Sequence, residues 1–356
     1  MHYAVTQEII MKKIIALILA LAMALSLVAC GGAEKKEEPA AAASSNLKAA
    51  CILGVGGLGD QGYNDLVFAG MERAKAELGI DFDYAEPKQI TDFEQIMRDM
   101  SDSGEYIVIV CVGFDQQDAL TSVAPDYPDQ NYAFIDGFID APNITNYTCR
   151  EQEGSYLVGA MAALMKQDAA TYGLADNGTI GFVGAMEIDT IVRFAAGYTA
   201  GAKYINPDIN VDIQYVAGDN PFGDTTTAKE IALSQFNKGS DIIYHAAGGS
   251  GLGVFTAAKE AGFMSIGCNS NQNVIDPDHI VASMLKRVDT AAFEIVKAAS
   301  EGTLKLGEEV VLGLEQGGID YPLEGSNIKV SDEIISKLTE LEQKIISGEI
   351  EVPASF

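Results

Sequence analysis

The chain has 356 residues, with 51 acidic against 23 basic side chains and a formal net charge of −28 at pH 7. That balance argues against a nucleic-acid partner, since neutralising phosphates needs clustered Lys and Arg. It describes a soluble, self-repelling surface but does not name a ligand.

The N-terminus comes first. Met11-Lys12-Lys13 opens a short basic stretch, Ile14 to Val28 is an apolar run without charge, and Leu27-Val28-Ala29-Cys30 closes it. Basic start, apolar run and small residues before a cut site are the order of an export signal. The run falls short of the ~20 apolar residues that span a bilayer. Residues 1–29 are expected to be the signal, with Met11 reading as the start and residues 1–10 lying upstream. Leu-Val-Ala-Cys resembles a bacterial lipobox, which would make Cys30 the lipidated first residue of a protein anchored on the extracytoplasmic face of the cell membrane. The alternative is an ordinary secretory signal with a chance cysteine. Residues 30–47 are rich in Gly, Ala, Ser, Lys and Glu and read as a flexible tether.

The remaining chain, about 310 residues, calls for two lobes rather than one core. Strands are expected at 48–54, 81–85, 106–112, 132–136, 179–184, 211–216, 241–246, 263–267 and 280–284. Helical patterns fall near 65–78, 92–102, 151–166, 189–204, 224–238, 251–261, 288–301 and 331–347. Runs such as "YIVIVCVG" and "TIGFVGA" suit strands buried on both faces, and the alternation builds right-handed βαβ units with parallel sheets. The fold class is therefore α/β, with two doubly wound parallel-sheet lobes. Ligands of such sheets bind beyond the carboxyl ends of the strands. That rule selects the loops 54–64, 113–115, 136–140, 184–190, 217–224, 247–251 and 268–273, which converge only if the sheets face one another across a cleft.

The first of these loops begins "GVGGLG", residues 54–59, the Gly-x-Gly-x-x-Gly spelling of a dinucleotide turn. Asp81 and Asp83 even lie where a ribose-binding carboxylate belongs. Two features oppose that reading. A protein outside the membrane meets little NAD, and Gly62 is a poor helix residue, about 1 kcal/mol worse than Ala. Asn64 or Asp65 is the better helix cap, so the glycines read as a strand-to-helix connection.

Other chemistry is absent. The histidines are His2, His245 and His279, and no pair has zinc-ligand spacing. His245 reads as a satisfied strand-end residue. Gly248-Gly249-Ser250-Gly251-Leu252 misses the nucleophile pattern at its last place. Asp219 to Glu230 has calcium-loop length but the wrong residues, and Asp224 fits a helix cap better. Cys51, Cys111, Cys149 and Cys268 show no Cys-x-x-Cys pair and read as buried free thiols, although spacing leaves a disulfide open. No enzyme activity, metal or cofactor is expected.

Seven segments, in order, resemble the basic membrane protein family of substrate-binding lipoproteins, whose members include purine-nucleoside receptors of ABC transporters. They are "GDQGYNDLVFAGMERA", "YPDQNYAFIDG", "REQEGSYLVGAMAALM", "GFVGAMEIDTIVRFAAGYTAG", "DIIYHAAGGSGLGVFTAAKEAG", "IGCNSNQ" and "SMLKRVD". The resemblance implies a type I periplasmic-binding fold with three hinge crossings. Its lobes would be 48–149 plus 272–307, and 150–271 plus 308–356. It implies a nucleoside ligand and ABC permease subunits as partners. It also implies that Asp60, Asn64, Phe68, Asp136, Phe194, Gly248, Gly249, Asn269 and Lys286 bind the ligand. On that reading Phe68 and Phe194 sandwich a purine, Asp60 and Asn64 read ring edges, and Lys286 donates to ribose hydroxyls.

Each has a plainer reading: Phe68 and Phe194 as core aromatics, Asp136 as a turn residue, Asp60 and Asn64 as loop stabilisers, Lys286 as a solvated charge. One departure matters. The family's usual Gly-Val-Asp-Ser-Asp-Gln is here Gly267-Cys268-Asn269-Ser270-Asn271-Gln272. Asn269 loses the charge of the family's sugar-binding Asp, so another flat ring or sugar, such as a flavin, is the alternative ligand.

Overall fold

The structure, a computed structural model, describes residues 47–356, all within the single unit Ser44–Phe356. The export signal and Cys30 lie outside the described residues.

The chain begins with β1 (Lys48–Ile52), α1 (Tyr63–Leu78), β2 (Asp81–Ala85), α2 (Phe93–Ser103), β3 (Tyr106–Val112), α3 (Gln117–Val123), β4 (Tyr132–Ile135) and β5 (Ile144–Cys149). It continues through α4 (Glu151–Gln167), α5 (Ala169–Tyr172), β6 (Thr179–Gly184), α6 (Asp189–Ile205), β7 (Asn210–Tyr215) and α7 (Thr225–Asn237). Then follow β8 (Ile242–Ala246), α8 (Leu252–Ala261), β9 (Met264–Asn269), β10 (Ile280–Lys286), α9 (Val288–Glu301), β11 (Glu309–Leu312), β12 (Ile319–Asp320) and α10 (Asp332–Ile346).

Two six-stranded sheets result, in the orders β11-β5-β4-β3-β1-β2 and β12-β10-β9-β8-β6-β7. Pairing is parallel except for β12 on β10. The central strands are β-branched and buried along their length, as in Val108 to Val112, because helices cover both faces. The edge strand β2 stays partly exposed. In α2 the buried Phe93, Met97 and Ser101 recur at intervals of four, which places one face on the sheet.

Helix α4 is apolar on nearly every side because the second sheet, α6 and α10 all pack on it. Glycines let α4 and α6 meet backbone to backbone: a Cβ at Gly159, Gly197 or Gly201 would collide with the facing main chain of Tyr198, Gln152 or Tyr156.

The lobe boundaries differ from expectation at two strands. β10 pairs with β9 and so completes the second sheet, whereas residues 272–307 were expected in the first lobe. β11 pairs with β5 in the first sheet, whereas 308–356 were expected in the second lobe. Each doubly wound sheet needs a fifth parallel strand, and the chain supplies it before it crosses. The crossings therefore follow Cys149, Lys286 and Leu312, and only α9 and β11 return to the first lobe. Strands β5, β11 and β12 and helices α3 and α5 had not been expected. In β5 the polar Thr145 and Asn146 are fully buried, and the Asn146 amide bonds both the N–H and the carbonyl of Ile139.

Candidate functional site

Both sheets follow a 2-1-3-4-5 winding, which places a crevice at the carboxyl ends of β1 and β3 in one lobe and of β6 and β8 in the other. A cavity of about 300 Å³ lies there, lined from both lobes, and all seven loops selected from the sequence border it or flank it. The volume is at the lower end for small-molecule sites.

The glycine loop forms part of one wall, with positive φ at Gly56, Gly57 and Gly59. Most of its backbone N–H groups are already engaged. Gly54 N–H donates to Asn64 Oδ1 (3.0 Å), Leu58 N–H to Glu86 (3.0 Å), and Gly59 and Gln61 N–H to Asp65 (2.8 and 2.9 Å). Asp60 accepts from the N–H groups of Gly62, Asn64 and Asp65 at 2.9, 2.8 and 3.2 Å. A pyrophosphate would need these donors. Burial raises the Asp60 carboxyl above its ordinary range, and the three N–H bonds oppose that shift.

Another part of the cavity wall is built on strand ends. Asp136 follows β4 and Asn269 ends β9; these strands hold equivalent places in the two sheets, and both residues adopt positive φ, 75° and 68°. Lys286, the last residue of β10, is 1% exposed and donates to Asp136 (2.6 Å) and Glu151 (2.8 Å). Glu151, fully buried, also accepts from Arg193 at 2.8 Å. Burial alone would lower the Lys286 pKa, but Asp136 and Glu151 outweigh it and hold the ammonium charged well above its ordinary range. For Glu151 burial acts to raise the pKa, and Lys286 and Arg193 carry it below the usual value. The Asn269 Oδ1 is buried without a partner among the described residues.

Aromatic rings approach from both lobes. The Lys286 Nζ lies 5.4 Å from the Tyr63 ring centroid and 5.8 Å from that of Phe194. Phe114 of the first lobe meets Phe222 of the second at 6.2 Å. Phe68, expected as one face of the sandwich, is elsewhere: its ring packs edge-on against Phe82 (5.6 Å) and Tyr84 (5.0 Å) beside the edge strand. Helix α1 begins at Tyr63, so Tyr63 faces the cavity, and Phe68, five residues on, lies about 140° around the helix.

Gly248 and Gly249 form the turn after β8; a Cβ on Gly249 would come within 3.1 Å of the Phe222 carbonyl and 3.7 Å of Asp60 Cβ. Further contacts join the lobes at Gln61, whose carbonyl accepts from Ser270 Oγ (2.7 Å) and Gln272 Nε2 (3.1 Å). The Gln272 Oε1 accepts from Cys268 N–H (2.8 Å) and from His245 Nε2 (3.0 Å). Burial pushes His245 down to about 4, so it stays neutral at neutral pH. Asn271 lies outside the cavity wall, bonded to Glu324 and Asn273. All four described cysteines are buried and free, and burial pushes the Cys51 thiol up to about 12.

Residues 47–355 match the family described as ABC transporter substrate-binding protein PnrA-like. The chain belongs to the PnrA-like family of ABC transporter substrate-binding proteins. Among its relatives is the ABC transporter nucleoside-binding protein BmpA of Lactococcus lactis, 30% identical over 87% of this chain and 90% of the relative. An uncharacterized lipoprotein of Pyrococcus abyssi is 33% identical over 82% and 71%. The solute-binding protein of an ABC transporter system from Aeropyrum pernix K1 superposes with a TM-score of 0.78, at 32% identity over 86% and 94% of the two chains.

The PnrA-like family consists of substrate-binding proteins of ABC transporters, so this chain is a binding protein and not an enzyme. Its type I periplasmic-binding architecture agrees with the two-lobed reading of the sequence. Tyr63, Phe114, Asp115, Glu151, Arg193 and Phe222 were not among the expected site residues. Tyr63 and Asp115 sit in loops or helix starts that the strand-end rule had selected; Glu151 meets Lys286 and Arg193 only through the fold.

Proposed function

We propose that this protein is an extracytoplasmic lipoprotein that captures a nucleoside, purine in kind, between its two lobes and hands it to an ABC permease. The observation that carries this reading is the convergence of aromatic rings from both lobes, Tyr63 and Phe194, on one cavity with polar groups around it. Stacking on such faces is worth roughly 1–3 kcal/mol per base. Asp136 and Asn269 at the strand ends offer acceptors for sugar hydroxyls, and Lys286 has a third N–H beyond its two carboxylate bonds. Both cations at this end are already paired, Lys286 with Asp136 and Glu151, and Arg193 with Glu151, which favours a neutral nucleoside over a nucleotide.

The nucleoside-binding name of the Lactococcus lactis relative and the lipoprotein name of the Pyrococcus abyssi relative support the same reading. The anchor would be Cys30; Cys30→Ala should move the protein from the membrane to the soluble fraction. The deciding experiment is mass spectrometry of ligand released from the purified, denatured protein. A purine nucleoside is the expected mass. Recovery of a flavin or a free sugar would favour the second reading, which Asn269 in place of an acidic residue keeps in view.

A further inference from the structure

One carboxylate of the cavity wall keeps an oxygen free of hydrogen bonds to other residues. Asp115 follows β3, beside the switch point with β1, and lines the cavity. Its Oδ2 accepts the Val55 N–H at 3.3 Å, and its Oδ1 has no partner on another residue among the described residues. The neighbouring acids are engaged: Asp60 by three backbone N–H groups and Asp136 by Lys286. Asn64 lies beside it. A Cβ added to Gly54 would sit 3.5 Å from Asn64 Oδ1 and 3.9 Å from Asp115 Oδ1, so the glycine keeps the space between them open. Because Asn64 Oδ1 takes the Gly54 N–H, the amide NH2 of Asn64 is left to donate. The wall therefore presents a donor next to a two-oxygen acceptor.

We propose that Asp115 reads the edge of the bound base and selects one that offers two adjacent N–H donors, as guanine does, over adenine. This rests on the nucleoside reading above. A guanine edge carries a carbonyl acceptor, a ring N–H and an amino group, the complement of the Asn64 amide beside the Asp115 carboxylate. Adenine presents an amino donor and a ring nitrogen lone pair, which a carboxylate repels. Burial, partly offset by the Val55 N–H, raises Asp115 to about 6. Ligand N–H groups stabilise the ionised form, so binding weakens as pH falls below that value. The charged and titratable groups that line the cavity with Asp115 are Asp60 in the glycine loop, Tyr63 on α1, Asp136 after β4, Cys268 on β9 and Lys286 on β10. On the facing loop Asp224 is bonded to Thr227.

The test is calorimetry of wild type and Asp115→Asn with guanosine, inosine and adenosine at about pH 7.5 and about pH 5. The Asn amide oxygen can keep the Val55 N–H bond, and melting curves confirm folding. Wild type should rank guanosine above inosine above adenosine, with guanosine weakened at the lower pH. Asp115→Asn should lose about ten- to hundredfold of guanosine affinity, gain affinity for adenosine, whose ring lone pair the new NH2 can meet, and show a flatter pH profile. Equal binding of guanosine and adenosine by wild type, or an Asp115→Asn variant that keeps the guanosine preference, overturns the assignment while nucleoside binding stands. Folded wild type that binds no nucleoside at either pH overturns both readings. The wild-type ranking and its pH profile decide the matter without any variant.

Discussion

Phe194 is 2% exposed and packs in the core of the second lobe, yet its ring also lines the cavity. Phe194→Ala should therefore cost about 3–5 kcal/mol of stability and weaken nucleoside binding by roughly tenfold to a hundredfold. Phe68→Ala should lose only its edge-on contacts, about 1–2 kcal/mol, and leave affinity unchanged. Ligand-free melting curves and binding isotherms check both. Lys286→Met leaves Asp136 and Glu151 buried without their ammonium, a loss of about 3–5 kcal/mol at neutral pH. In wild type the folded pKa of Glu151 is depressed, so its stabilisation is present above the unfolded value and is lost as pH falls through the folded one. In the variant Glu151 loses the larger of the two cations that depress its pKa, so acidification should cost the variant less stability than it costs wild type. Urea titrations across pH test this difference. Asp136 and Asn269 lie in loops that the strand-end rule selects, whereas Lys286 is placed at the cavity only by the family resemblance. Phe68 could not be placed from sequence, because residue type does not fix the angle around a helix. Glu151 and Arg193 pair across dozens of residues, which periodicity does not show.

At the scale of elements, most strands and helices were legible because buried β-branched runs alternate with amphipathic helices. β5 was not, since its buried Asn146 and Thr145 look like loop residues until their partners are seen. β11 and β12 are short edge pieces whose place depends on the crossings. The α4–α6 contact depends on glycine at Gly201, where a Cβ would collide with the Tyr156 main chain. Gly201→Ala should force the helices apart and cost about 1–3 kcal/mol, read as a lower melting temperature. The glycine loop gives the converse case, in which a familiar spelling serves a different geometry. With most of its N–H groups engaged, among others by Asp60, Asn64, Asp65 and Glu86, NAD should produce no saturable heat on titration.

For the whole molecule, the lobes touch at Phe114 with Phe222 and at Gln61 with Ser270 and Gln272. These contacts favour the closed arrangement, so the double change Phe222→Ala and Ser270→Ala should shift the ligand-free population toward open forms. Small-angle scattering should report a larger radius of gyration that ligand restores, with affinity lowered several-fold, on the order of 1 kcal/mol. The three crossings carry a further consequence for the order of synthesis. The first sheet waits for β11 and the second for β12, so neither lobe is complete until the ribosome has made nearly the whole chain. Domains generally fold as units while the chain emerges, and here both units finish almost together. Under the export proposed above the chain gains from that delay, because no finished lobe can jam a translocation channel before the last elements are made.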